Sequence, residues 1–260
     1  MAQMEIRPER TEEAGLLQVR VYRDRKAMGF AAAASAGAGI REAIAAKGEA
    51  RVVFAAAPSQ NELYEGLARE EGIDWGKVTA FHMDEYIGLP ASAPQRFGNY
   101  LTERLFRAVK PGRVELIDSS GDIRRECERY AAMLAEAPID IVCLGIGENG
   151  HIAFNDPPVA DFEDPLLVKA VELDLACRQQ QVNDGCFPEL AAVPTHAVTL
   201  TIPALMSGAK LYCSVPGSHK RQAVMDTLRG PVATACPASI LRTHPSAVLF
   251  TDQDAYGLDG

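Results

Sequence analysis

Short apolar runs punctuate this chain at regular intervals, and longer segments of helical character lie between them. Residues 51–57, 77–81, 139–144, 197–201, 210–215 and 247–250 are rich in Val, Ile, Leu, Phe and Ala. Runs of this length, bounded by Gly, Pro or polar residues, read as strands buried on both faces. Residues 113–117 and 167–173 read as two further, weaker strands. The Ala-rich stretch 22–47 predicts one or two helices ending near Gly48. Helices are also predicted over 61–71, 97–106, 122–135, 202–206 and 219–228, with 122–135 amphipathic. This rhythm predicts an α/β fold: a mostly parallel, Rossmann-like sheet with helices on both faces, closed by the strand 247–250. A single domain over residues 1–260 is expected, without repeats or linkers. Residues 157–194 are the least regular and are expected to form a lid-like segment.

Composition narrows the partners. The net charge of −9 over 260 residues argues against nucleic acid and against an anionic membrane surface. It leaves room for a small anion in a locally basic pocket. No run reaches the roughly 18 apolar residues of a membrane span, and no secretory leader is evident. None of the six cysteines forms a C-x-x-C pair, and Cys143 and Cys213 fall inside apolar runs. A reducing cytoplasm is therefore the expected location. Self-association is left open.

Open α/β sheets bind ligands beyond the C-terminal ends of their strands, so the residues just past each run carry the candidate chemistry. After 139–144 comes Gly145-Ile146-Gly147-Glu148-Asn149-Gly150-His151-Ile152-Ala153-Phe154-Asn155-Asp156. Its glycines permit a tight turn and close approach to a ligand. Asn149, His151 and Asp156 bring an amide, an imidazole and a carboxylate within eight positions. Such neighbours orient an imidazole for proton transfer. The glycine spacing matches G-x-G-x-x-G, but it occurs late in the chain and runs into His151, where a dinucleotide site needs a helix start. An active-site loop is the better reading. After 77–81, Asp84 and Glu85 place adjacent carboxylates beyond a strand, where helix capping is the alternative role.

Two more strand ends look suited to an anion. Past 51–57, the Ser59 hydroxyl and free N–H groups at a helix start can hold a phosphate. Capping by Ser59 or Asn61 is the equal alternative. Past 210–215, Lys220 follows Gly217-Ser218-His219 in the first turn of a helix, where a cation opposes the helix dipole. A bound anion would account for it.

Met83-Asp84-Glu85-Tyr86 with Gly88-Leu89-Pro90, and Gly147 with Asn149-Gly150-His151-Ile152 and Phe154-Asn155, closely resemble the glucosamine-6-phosphate deaminase (isomerase) family. The likeness runs from about residue 51 to about residue 255. Related 6-phosphogluconolactonases typically follow their Asp-Glu pair with a basic residue and lack the Ile-Ala-Phe-Asn run. The resemblance implies conversion of glucosamine 6-phosphate and water into fructose 6-phosphate and ammonia, with a phosphorylated amino sugar as partner. It implies that His151 moves a proton between the ring oxygen and the C1 hydroxyl. Asp84 would carry the C2 proton to C1, and Asn149 and Asp156 would orient His151. Substrate contacts would fall to Ser59, Gln60, Asn61, Glu85, Arg178 and Lys220, the last in a matching Gly-Ser-x-Lys segment. Every step is a proton transfer, so no cofactor and no metal is expected.

The chain departs from that pattern in places. No glycine stands among Ser59, Gln60 and Asn61, and Asp156 replaces the commoner Glu. Arg178, with Gln181 as rival, is the nearest candidate for a phosphate-binding arginine. Lys169 lacks the preceding arginine of an allosteric sugar-phosphate site. Three other functions remain in view: a 6-phosphogluconolactonase, a deaminase or isomerase of another epimer such as galactosamine 6-phosphate, and a non-catalytic sugar-phosphate sensor.

Overall fold

The predicted alternation of strands and helices is present in the computed structural model, which describes residues 6–257. The strands are β1 (Arg10–Ala14), β2 (Leu17–Tyr22), β3 (Ala50–Phe54), β4 (Val78–His82), β5 (Asp84–Tyr86), β6 (Arg113–Glu115), β7 (Ile141–Leu144), β8 (Val168–Glu172), β9 (His196–Leu200), β10 (Lys210–Val215) and β11 (Ala247–Asp252). Eight of them form one sheet in the order β1-β2-β11-β10-β7-β3-β4-β6. Only β1 runs antiparallel to its neighbour; every other pairing is parallel.

The continuous apolar runs follow from burial on both faces. In β3, Val52 and Phe54 join one core and Val53 the other. In β7, Ile141 and Cys143 face one way, Val142 and Leu144 the other. The helices are α1 (Arg25–Lys47), α2 (Asn61–Leu67), α3 (Phe97–Leu101), α4 (Arg107–Val109), α5 (Ile123–Ala135), α6 (Leu175–Asn183), α7 (Ile202–Met206), α8 (Arg221–Arg229) and α9 (Gln253–Tyr256). A π-helical turn, Thr102–Phe106, joins α3 to α4. Helices α1 and α2 contribute to one core; α5, α7 and α8 contribute to the other.

Helix α1 has no strong apolar stripe because its buried positions are mostly Ala and Gly. Small residues let it lie close against α2. A Cβ added at Gly29 would stand 2.3 Å from the Glu62 Cβ, and one at Gly66 would stand 2.4 Å from the Ala33 Cβ. Asp24 starts the helix by accepting the Ala27 N–H at 2.8 Å.

Three expectations are corrected. Residues 10–22 form an antiparallel hairpin, so Tyr22 ends a strand and does not begin a helix. Strand β11 does not close the sheet, because β2 pairs along its open side. The segment 157–194 is not irregular throughout: it carries β8 and α6. In addition, the runs near 168–172 and 196–200 leave the main sheet. Strands β8 and β9 form a small antiparallel sheet with β5, in the order β5-β9-β8.

The strands from β3 onward step outward through β4 to β6, whereas β7, β10 and β11 step the other way. The direction therefore reverses between β3 and β7, where an open α/β sheet leaves a crevice at its C-terminal edge.

His82 ends β4 in full burial, and its Nε2 accepts the Ile117 N–H at 2.8 Å. Burial pushes its pKa down to about 3, from an ordinary 6.5. Between those values the unfolded chain binds a proton that the folded chain refuses, so stability falls as pH falls. The denaturant midpoint should drop as pH is lowered from about 6.5 toward 4, and His82→Gln should flatten that drop. The same pH dependence in folded His82→Gln as in wild type would show that His82 is not a source of acid lability.

Candidate active site

One pocket occupies the crevice. Its lining comes from the ends of four central strands: Ala55, Pro58 and Ser59 after β3, Met83 and Asp84 after β4, Gly145, Gly147 and His151 after β7, and Pro216, His219 and Lys220 after β10. Arg25, from the start of α1, and Gln180, Gln181 and Asp184, from the region of α6, complete it.

At one end stand Asp84 and His151. The Asp84 carboxylate is only 6% exposed, and among the described residues no hydrogen bond reaches it. Burial, with the neighbouring Glu85 charge, raises its pKa well above the usual aspartate range. Such a carboxylate is a far better proton acceptor than one in water.

His151 is held from behind. Its Nδ1 lies 2.7 Å from the Asn149 Oδ1 and 3.0 Å from the Asp156 Oδ1. Both neighbours are acceptors, so Nδ1 carries the hydrogen and Nε2 is the basic nitrogen. Asn149 donates its Nδ2 hydrogen to Asp156 at 3.0 Å, which fixes which end of the amide faces the ring. Burial pushes the Asp156 pKa up, but hydrogen bonds from His151, Asn149 and the Asp174 N–H more than offset this, and it lies below the usual value. Asp156 thus sits behind His151, outside the pocket lining.

The tertiary bridge between the two motifs is β9. Asp84 pairs with Thr199 across β5 and β9. The Phe154 N–H donates to the Thr199 Oγ1 at 3.1 Å, and the Asn155 Nδ2 donates to the Leu200 carbonyl at 2.9 Å. The same strand therefore anchors Asp84 and the histidine loop. Tyr86, Phe97 and Phe154 pack as neighbouring rings with centroids 4.7–5.6 Å apart. The Tyr86 and Phe154 positions of the two sequence motifs are thus one aromatic wall. Ala153, on the pocket lining, holds a left-handed φ of 49°, which costs free energy outside glycine.

Gly147 has a specific steric role. A Cβ there would lie 2.1 Å from the His151 Cε1 and 2.2 Å from Nδ1. Gly147→Ala should therefore displace the imidazole and reduce turnover by about 10²-fold, with a small change in thermal midpoint. Turnover within twofold of wild type would mean that the ring does not need this position.

At the other end is Lys220. It is 4% exposed, and among the described residues its ammonium has no hydrogen-bond or ion-pair partner. Burial lowers its pKa, while the charges of Asp184 and Glu148 oppose that shift. Ser59 shares the pocket, and its Oγ accepts from the Gln60 Nε2 at 3.0 Å.

Four expected substrate contacts are corrected. Gln60 is fully buried behind Ser59, donating also to the Ser214 carbonyl at 3.1 Å. Asn61 accepts from the Tyr100 hydroxyl at 2.5 Å and is not in the lining. Glu85 caps α3, accepting the Phe97 and Gly98 N–H groups at 3.0 and 3.1 Å, with Arg96 3.7 Å away. Its role is the capping alternative weighed from the sequence. Arg178 faces away, donating to the carbonyls of Leu190 and Val193 at 2.9 Å; its rival Gln181 does line the pocket.

Among the described residues two groups of potential metal ligands fall within 4.8 Å: His151, Asp156 and Cys177, and Glu148, Asp184 and His219. The first is already engaged in the histidine relay. The second lies in the field of Lys220, whose charge opposes a cation there.

Arg25, Gln180 and Asp184 were not found by sequence reasoning. The signal for Arg25 was the alternation of Leu17, Val19 and Val21, which marks a strand ending just before it.

A doubly wound sheet with a buried carboxylate and an imidazole lining its crevice defines an enzyme of the α/β class. The sequence pattern of the family described as glucosamine-6-phosphate isomerases/6-phosphogluconolactonase matches residues 23–250. Glucosamine-6-phosphate deaminase of Listeria monocytogenes serotype 4a (strain HCC23) is 37% identical over 198 residues, 75% of this chain and 82% of that protein. The deaminase of Bacillus thuringiensis (strain Al Hakam) is 36% identical over 192 residues, covering 73% of this chain and 71% of its own. Among solved structures, a monomeric glucosamine-6-phosphate deaminase of the NagB superfamily superposes with a TM-score of 0.85 at 28% identity, covering 93% of this chain and 99% of its own. A 6-phosphogluconolactonase from Shewanella baltica OS155 shares the fold, with a TM-score of 0.74 at 19% identity over 90% of this chain and 97% of its own. The chain belongs to the glucosamine-6-phosphate isomerase/6-phosphogluconolactonase family. Among the described residues no helix is long and apolar enough to cross a membrane.

Proposed function

We propose that this protein converts glucosamine 6-phosphate and water into fructose 6-phosphate and ammonia. The observation that carries the reading is one pocket with opposite equipment at its two ends. A buried carboxylate and a relayed imidazole stand at one end, and a buried, unpartnered ammonium among the described residues stands at the other.

The sugar enters closed. His151 Nε2 accepts the C1 hydroxyl proton and returns it to the ring oxygen, giving the open aldehyde; Asn149 and Asp156 stabilise the imidazolium formed on the way. Asp84 then removes the C2 proton, leaving an enolamine. The proton goes back to C1, and C2 becomes an imine. Water adds to C2 and ammonia leaves, giving the ketose. Lys220 and the Ser59 hydroxyl hold the 6-phosphate, and this remote binding helps fix the reacting carbons. No redox change occurs, and each step moves protons between substrate, water and these side chains. Soluble action in the cytoplasm suits this reading and the free thiols found for all six cysteines.

The test is ammonia release from the 6-phosphates of glucosamine, galactosamine and mannosamine, with hydrolysis of 6-phosphogluconolactone as the control. Turnover of the lactone and of none of the amino sugars would reject the reading. Lys220→Ala should reduce kcat/KM for the phosphorylated sugar by about ten- to a hundredfold, the size of a charge-assisted hydrogen bond of roughly 1.5–3 kcal/mol. An unchanged kcat/KM would remove Lys220 from the phosphate end.

A further inference from the structure

A phosphate monoester carries close to two negative charges at neutral pH, and Lys220 supplies one positive charge. Arg178, the arginine proposed from sequence, spends its Nη2 on two backbone carbonyls away from the pocket. The pocket lining nevertheless contains an arginine, Arg25, from an unexpected place. It is the first residue of α1, at the C-terminal end of β2, and it lines the pocket with Pro58, Ser59 and Lys220.

Its guanidinium is clamped. Nε donates to the Glu62 Oε1 at 2.7 Å, and Nη2 donates to the Glu62 Oε2 at 2.9 Å and to the Pro58 carbonyl at 3.0 Å. The third nitrogen, Nη1, has no hydrogen bond among the described residues. A planar guanidinium fixed along one edge presents its remaining N–H groups in a set direction. Glu62 reaches Arg25 because α1 and α2 touch at Gly29, where the Glu62 side chain occupies the space of a missing Cβ. Pro58, the other partner, is the residue before Ser59. The clamp is therefore made from the same turn that carries the candidate phosphate hydroxyl.

We propose that Arg25 is the second cationic ligand for the phosphate monoester of the substrate, held for that task by Glu62 and Pro58. The proposal deepens the deamination reading and rests on it for the identity of the substrate. Glu62 offsets part of the arginine charge, and the side chain is about half exposed. The contribution is therefore a directed hydrogen bond, in addition to long-range attraction.

The experiment measures binding of inorganic phosphate to the full chain by calorimetry, and its competition with glucosamine 6-phosphate, for wild type, Arg25→Gln and Arg25→Lys. Arg25→Gln should weaken phosphate binding about ten- to a hundredfold and should raise KM more than it lowers kcat. Arg25→Lys should recover little, because the three N–H groups of an ammonium would all be spent on Glu62 and the Pro58 carbonyl, whereas the guanidinium makes those bonds and keeps Nη1 for the phosphate. Unchanged phosphate affinity in folded Arg25→Gln overturns the proposal. Should that variant not fold, unchanged affinity in Arg25→Lys overturns it. Phosphate binding is read without turnover, so the two readings fail separately. Wild type that binds phosphate through Arg25 but releases no ammonia supports this inference and rejects deamination. Wild type that releases ammonia but whose phosphate affinity ignores Arg25 does the reverse.

Discussion

Asp84→Asn is expected to lower ammonia release by about 10²–10⁴-fold and, at neutral pH, to raise the thermal midpoint. The two effects have one cause. Asp84 is buried, no hydrogen bond reaches its carboxylate among the described residues, and its neighbour Glu85 adds a like charge. The folded protein therefore holds the proton more tightly than the unfolded chain does. In the window between the ordinary aspartate value and the raised one, the native state binds more protons, so stability falls as pH rises. Above that window the ionised carboxylate is a strain on the fold and a competent base. An amide of the same shape removes the charge and the proton acceptor together. The same shift predicts that kcat/KM declines on the acid side at a pH above the normal carboxylate range. The measurements are ammonia release, solvent exchange at C2 and melting temperature from pH 4 to 8. Near-normal exchange at C2 would place the base elsewhere. Glu85 is poorly placed to substitute, because its oxygens already accept the Phe97, Gly98 and Tyr86 N–H groups.

His151→Gln should also cost about 10²–10⁴-fold in turnover, but at a different step. Glutamine retains polarity and cannot shuttle a proton between the ring oxygen and the C1 hydroxyl. The defect should be confined to opening the ring. A 5-deoxy analogue of glucosamine 6-phosphate cannot close into a pyranose, and it should be turned over by His151→Gln with a much smaller loss. An equal loss on both compounds would assign His151 to the proton transfer at C2 and not to ring opening. Asp156→Asn should give a milder version of the same pattern. It removes the charge facing Nδ1 while leaving Asn149 2.7 Å from the ring.

Much of the fold was legible because burial on both faces writes itself as unbroken apolar runs. β3, β4, β7, β10 and β11 were all visible in this way, and the loops after the first four carried the candidate chemistry. The hairpin β1–β2 was not recognised, although Leu17, Val19 and Val21 alternate with Gln18 and Arg20. Its charged outer positions resemble a surface segment until the strand is paired with β11. Missing it concealed Arg25, since a side chain beyond an unrecognised strand has no assigned place.

The candidate site shows the same boundary residue by residue. Local sequence was enough to mark Asp84, His151, Ser59 and Lys220 as lying beyond strand ends, and those four line the pocket. Asn149 and Asp156 were marked by their proximity to His151 in the chain, and short-range geometry keeps them there. Which of two adjacent carboxylates faces the substrate was not decidable from spacing. Alternation along β5 turns Asp84 and Glu85 to opposite sides, and only the position of α3 shows that Glu85 is consumed as its cap. Likewise, Arg178 and Gln181 lie on one helix, and only the packing of α6 shows that Gln181 reaches the pocket while Arg178 meets the Leu190 and Val193 carbonyls.

The sequence by itself therefore determined the central strands of the sheet, the strand-end loops and the chemical character of the residues in them, because hydrophobic periodicity and glycine-bearing turns are properties of neighbouring positions. The tertiary structure decided which side chains meet. Strand β9 joins the Asp84 strand to the His151 loop through Thr199. The close packing of α1 on α2 sets Glu62 against Arg25. Burial, which raises Asp84 and lowers Lys220, depends on every element around them. Contacts and desolvation are sums over residues remote in the chain, and no local pattern encodes them.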